Sequence, residues 1–238
     1  MARSRKQRLT ARALGWATRV FLRVLLALVV LSVVEVGLLR FLDPPITVPI
    51  AMEWLSSRVE SKRYKRPVCF WRSLAEISPN LIKAVLAGED QRFFLHRGFD
   101  FIELKEAFND LLSAKRMRGA STITMQTART IFLWQGRSWT RKITEAYYTV
   151  LIELLWDKRR ILEVYLNTVD WGKGVMGAEA ASRKYFQRSA KDLSRREAAM
   201  LASILPSPYR WSPVQPNDQV RRRAERIMKD MNKIPVIY

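Results

Sequence analysis

The sequence predicts an all-α protein, one membrane-crossing helix followed by a helical domain, and three observations lead there. Residues Val20–Leu42 form a nearly unbroken apolar run, apolar residues recur at helical spacing from about residue 73 onward, and strand signals are scarce. The chain divides accordingly into a basic tail (1–19), an anchor (20–42), a linker (43–70) and a domain (71–238).

The anchor comes first. About 20 residues span a bilayer, and LLALVVLSVVEVGLL, extended by Arg23 and Arg40 with snorkelling side chains, is long enough. Glu35 costs about 2.5–3.5 kcal/mol at a helix centre, and less here, nearer the far end. A cleaved signal peptide would need a small-residue cleavage site, which does not follow, and Asp43-Pro44-Pro45 reads as a helix stop. The excess of Lys and Arg before the run keeps the N-terminus cytoplasmic and places the rest beyond the membrane.

Residues 44–70, with Pro44, Pro45, Pro49 and a charged SSRVESKRYKRP stretch, read as a connector. Ser78-Pro79 is an N-cap with a first-turn proline opening LIKAVLAGED. Ser121 precedes a helical TITMQTARTIFL. Arg141–Trp156 carries Ile143, Tyr147, Val150, Leu151, Leu154 and Leu155 on one side, and Asp157 can cap KRRILEVYLN. Ser194 and Glu197 form a capping box before AAMLASIL, which Pro206 and Pro208 end.

Charge narrows the function. The 238 residues carry a formal +20, of which 1–40 hold +7 and the other 198 hold +13, pointing to a polyanionic partner: nucleic acid, acidic lipid or a phosphorylated substrate. Export across a membrane argues against nucleic acid. One cysteine, Cys69, and one histidine, His96, exclude an internal disulfide and a Cys/His zinc cluster.

Three segments could carry chemistry. Glu89-Asp90 runs into QRFFLHRGFD, so that two carboxylates, His96 and the glycine turns Gly88 and Gly98 fall in eleven residues; a partly desolvated acid there could act as a general base, or the acids could close a solvated helix. RGASTITMQ, Arg118–Gln126, is a glycine turn feeding a helix mouth that could bind phosphate or simply be capped. Arg141, Lys142 and Glu145 share a face, with Arg129 and Arg137 upstream, as a cationic ligand site or a solvated charged face.

Their order sharpens the reading. Glu89, Asp90, Phe93, His96 and Gly98 match E-D-x-x-F-x-x-H-x-G; Gly119, Ser121, Thr122 and Gln126 match G-x-S-T-x-x-Q-Q, with Met125 at the first glutamine. Arg141, Lys142 and Glu145 match R-K-x-x-E; Arg160, Ile161, Leu162, Tyr165, Leu166 and Asn167 match R-I-L-x-x-Y-L-N; and E-A-A-x-L-A begins at Glu197. Over about 70–210 the chain resembles a monofunctional peptidoglycan glycosyltransferase of glycosyltransferase family 51, the domain also found in class A penicillin-binding proteins.

The resemblance implies a lysozyme-like, all-α, two-lobed domain that polymerises lipid II into glycan strands. It implies that Glu89 is the base on the acceptor GlcNAc 4-hydroxyl, that Glu145 stands by the leaving group or shapes the cationic pocket, and that Arg129, Arg137, Arg141 and Lys142 neutralise the departing pyrophosphate. Asp90, Phe93, His96, Ser121, Thr122, Gln126, Tyr165 and Asn167 become shaping or substrate-contacting groups, and Arg160 and Glu163 structural partners. No cofactor is required; a divalent cation, Mg or Mn, could assist Glu145 at the pyrophosphate. Partners are lipid II, the lipid-linked glycan chain, the membrane, and cell-wall synthesis or division proteins, at the bacterial inner membrane with the domain on its periplasmic side. Trp139 with Phe132-Leu133-Trp134 reads as core or as a face dipping into the outer leaflet, and 101–118 as a lobe near the membrane.

The serine acyl-transfer motifs of a transpeptidase are missing. Competing readings are a lytic enzyme that cleaves peptidoglycan and a membrane-anchored basic adaptor. Surplus cations, including Arg221-Arg222-Arg223, are read as attraction toward an anionic membrane.

Overall fold

The computed structural model describes residues 5–44, 46–59, 67–113, 119, 121–136 and 138–235, and the chain divides into two units, 1–42 and 43–238. The first unit is α1 (Arg5–Leu39), which reaches well into the expected basic tail; its Gly15–Leu39 part is long and apolar enough to cross a membrane.

Among its described residues the second unit is helical apart from one small hairpin and two isolated bridges. Within the expected linker, Val48–Val59 folds as α2 and packs on α5 (Ile123–Phe132). The remaining helices are α3 (Pro79–Glu89), α4 (Phe101–Leu112), α6 (Trp139–Leu155), α7 (Lys158–Thr168), α8 (Ala178–Phe186), α9 (Arg195–Ile204) and α10 (Asp218–Asp230). Between α7 and α8, β1 (Asp170–Gly172) pairs antiparallel with β2 (Val175–Met176), a hairpin too short to leave a strand signature in the sequence.

Local chemistry sets the helix starts. Ser78 accepts from the Asn80 N–H and is followed by Pro79, Asp157 accepts from the Arg160 N–H, and Ser194 with Glu197 completes the capping box. The cap of α5 is Thr122 rather than Ser121, its hydroxyl accepting from the Met125 N–H.

Packing makes two groups. α3, α9 and α10 pack together, helped by the fully buried Ala198, Ala199 and Ala202 of α9, whose small side chains allow close approach. α5 packs between α6 and α7, burying Ile123, Ala128, Ile152, Ile161 and Leu162. Gly88 lies inside α3, not in a turn; a Cβ there would come 3.0 Å from Ile227 Cδ1, so the glycine lets α10 approach. Gly98 is a true turn glycine with φ +84°.

Candidate active site

The end of α3, the start of α5 and one face of α10 meet at Glu89. Gln126 Nε2 donates to Glu89 Oε2 at 3.0 Å, and Arg223 Nη2 donates to Glu89 Oε1 and to the Gly88 carbonyl, both at 2.8 Å. Tyr165 O–H in turn donates to Gln126 Oε1 at 3.1 Å, fixing which end of the amide faces the carboxylate. Burial pushes the Glu89 carboxyl above its ordinary range, against the charge of Arg223 and the hydrogen bonds from Gln126 and Arg223. Burial also pushes the Tyr165 hydroxyl up, which keeps it a donor.

Asp90 is the joint beside it. Its carboxylate accepts from His96 Nε2 at 2.9 and 3.1 Å and from the Ile123 N–H at 3.0 Å, tying the residue after Glu89 to the first turn of α5. Thr122 O–H donates to the Gly98 carbonyl at 2.6 Å and closes the 90–98 loop onto the same turn. Two N–H groups at the helix mouth, of Ile123 and Met125, are therefore taken by protein acceptors, which leaves less of it for a phosphate.

One turn along α5 from Gln126, Arg129 serves a second carboxylate. Arg129 donates to Glu145 through Nε (2.9 Å) and Nη2 (3.3 Å), Lys142 Nζ donates at 2.6 Å, and Arg141 Nη1 lies 3.7 Å away. The Glu145 side chain is wholly buried. Burial alone would push its carboxyl up, but the hydrogen bonds and charges of Arg129 and Lys142 outweigh it and hold it below the ordinary range. Arg129 and Lys142 stay 41% and 46% exposed, so three cations balanced by one anion present net positive charge to a ligand. Both oxygens of Glu145 already face cations, Arg129 on one and Arg129 and Lys142 on the other.

The structure thus gathers Glu89, Asp90, His96, Gln126 and Tyr165 in one cluster and Arg129, Arg141, Lys142 and Glu145 in the next, with α5 joining them. Other expected site residues lie differently. Phe93 is buried beneath Lys158, whose Nζ stands 4.5 Å from the ring centroid; Ser121 is half-buried just before the Thr122 cap; and Arg137 lies outside the described residues. Asn167 is buried and engaged with backbone: its amide donates to the Arg72 and Glu163 carbonyls and accepts from the Arg72 N–H. Met125, where the motif usually has glutamine, is 6% exposed, in a place that calls for an apolar side chain. Arg160 and Glu163 pair at 2.8 Å, and Glu163 also accepts from the Leu74 N–H.

Arg223 is the residue that sequence reasoning missed, having grouped it with Arg221 and Arg222 as a surplus. The signal was in the periodicity of α10: Val220, Ala224, Ile227 and Met231 are its buried stripe, and Arg223, three residues after Val220 and four before Ile227, borders that stripe.

A raised carboxylate and a second one caged by cations, joined by one helix in an all-α domain, are an arrangement suited to glycosyl transfer, and the family match makes the protein a glycosyltransferase by class. The chain belongs to the transglycosylase family, whose family model matches residues 57–232. It is similar to proteins named biosynthetic peptidoglycan transglycosylase: that of Caulobacter vibrioides is 44% identical over 87% of this chain and 88% of its own, that of Pseudomonas aeruginosa 45% over 84% and 86%, and that of Chromohalobacter salexigens 45% over 91% and 92%.

Proposed function

We propose that this enzyme polymerises peptidoglycan glycan strands, transferring the growing chain from its undecaprenyl pyrophosphate onto the GlcNAc 4-hydroxyl of lipid II with inversion at the donor carbon. The observation that carries the reading is the contrast between two carboxylates joined by one helix. Glu89, raised by burial yet contacted by Arg223, suits a base that is ionised at rest and takes a proton as the hydroxyl attacks. Glu145, held ionised, is suited to keeping Arg129, Lys142 and Arg141 in place for the charge that develops on the departing pyrophosphate. A hydrolase of neutral glycosidic bonds has no use for such a cationic pocket, and a lipid-binding adaptor has none for Glu89. The reading needs no protein-held metal.

The apolar Gly15–Leu39 helix supports a single-pass anchor in the inner membrane, with the domain outside, where lipid II is polymerised. Phe132 and Leu133 are buried, whereas Trp134 and Trp139 are exposed, so of that aromatic run only the tryptophans can meet lipid.

The test is polymerisation of lipid II by the full chain in detergent, with glycan length resolved on a gel. Wild type yields polymer and Glu89→Gln yields none while keeping its helical circular dichroism. Polymer from Glu89→Gln at the wild-type rate would remove Glu89 from the role of base.

A further inference from the structure

The inner face of α6 is polar. Glu145, Thr149 and Glu153 recur every fourth residue along it, Glu145 and Thr149 fully buried and the Glu153 side chain only 8% exposed. Glu145 organises the cations of the pocket. Glu153 lies two turns further on, roughly 12 Å along the axis, and serves a different set of neighbours.

Those neighbours belong to the elements that place Glu89. Glu153 Oε1 accepts from the Thr124 O–H at 2.5 Å and from Lys158 Nζ at 2.7 Å. Thr124 is fully buried in the first turn of α5, two residues before Gln126, which holds the Glu89 carboxylate. Lys158 Nζ also stands over the ring of Phe93, in the middle of the loop that the Asp90–His96 pair ties down. The turn of that loop rests on α6 directly: a Cβ at Gly98 would meet Thr149 Cγ2 at 2.8 Å and Glu153 Cγ at 3.0 Å. One carboxylate thus joins the loop that follows Glu89 to the helix that orients it. An apolar residue of similar volume would fill the same space, since a buried ion pair is often no more stabilising than the hydrocarbon that replaces it. What the charged group supplies is direction, a fixed separation between α5, α6 and the loop.

We propose that Glu153 is a positioning residue for Glu89: by locking the first turn of α5 and the 90–98 loop onto α6, it holds Glu89 where it meets the acceptor hydroxyl, without touching substrate itself. α6 then carries both halves of the site in register, Glu145 for the leaving group and Glu153 for the base. The inference rests on the polymerase reading above and deepens it.

Two independent readouts on the full chain in detergent test this, lipid II turnover and amide hydrogen exchange. Glu153→Ala is expected to lower kcat roughly 10–100-fold, while KM for lipid II and affinity for undecaprenyl pyrophosphate stay within about twofold, because misplacing a base costs rate and leaves the pocket intact. Exchange rises at 90–98 and 122–126 and is unchanged at 139–145. Glu153→Gln, which keeps an acceptor for Thr124, recovers part of kcat. Should Glu153→Ala fail to fold, Thr124→Val, an isosteric change that removes only the hydroxyl, gives the same split at roughly 3–10-fold. Unchanged kcat overturns the proposal. So does a loss of kcat matched by an equal loss of pyrophosphate affinity with exchange rising throughout, which marks a purely structural ion pair. Wild type that makes no polymer removes the polymerase reading instead; exchange at 90–98 then judges the tie alone, which stands if Glu153→Ala raises it and falls if not.

Discussion

Arg223 and Glu89 are 134 residues apart in sequence and 2.8 Å apart in space, so the carboxylate at the end of α3 owes part of its charge state to α10. That pairing has a kinetic consequence. As the proposed base, Glu89 must be ionised to work; burial raises its pKa and Arg223 opposes the rise, so activity is expected to fall as pH drops through the raised value. Arg223→Ala moves this acidic limb to higher pH and lowers kcat/KM by about 10–100-fold, with partial rescue by Arg223→Lys. A pH–rate profile of lipid II turnover checks both; an unmoved limb would show that Arg223 only holds α10 in place.

Glu145 governs acid stability. Its folded pKa is depressed, so its contribution is fully present above the ordinary carboxylate value of 4.5 and is lost as pH falls through the lower folded value. Glu145→Gln removes that dependence and leaves Arg129, Arg141 and Lys142 mutually repelling. Because two of the three are partly solvated, the expected cost near neutral pH is about 1–3 kcal/mol. Thermal melts of variant and wild type between pH 3 and 7 should differ most at neutral pH and converge in acid.

Asp90 acts through what it holds. Asp90→Ala orphans the Ile123 N–H and His96 Nε2, costing about 2–3 kcal/mol, and loosens the first turn of α5, which carries Gln126. Turnover therefore falls more than substrate affinity, whereas Asp90→Asn, which keeps an acceptor oxygen, recovers part of both. A drop confined to KM would instead mark Asp90 as a direct substrate contact.

Gly98→Ala tests the loop. Its φ of +84° disfavours any side chain, and a Cβ would stand 2.8 Å from Thr149 Cγ2. A loss of about 1–3 kcal/mol is expected, measured by urea titration. Gly119→Ala, with nothing within 4 Å of its Cβ, is the mild control.

By itself the sequence determined what is local. Helix starts at Ser78, Asp157 and Ser194 were legible because a cap and its N–H partner lie within three residues, and the apolar span because length and composition decide it. Glu89, Asp90 and His96 were legible as one cluster because ten residues hold them all. Only the tertiary structure decided which cation serves which carboxylate. Arg129 reaches Glu145 across two helices and Arg223 reaches Glu89 across the domain, pairings that long-range packing creates and that neither periodicity nor spacing records. It also decided which side of α6 is inside: the sequence placed Ile143, Tyr147, Val150 and Leu154 on one side of the helix without saying which way that side faces. The structure turns it out, because Glu145 must sit against Arg129 on α5, and one helix cannot bury both faces.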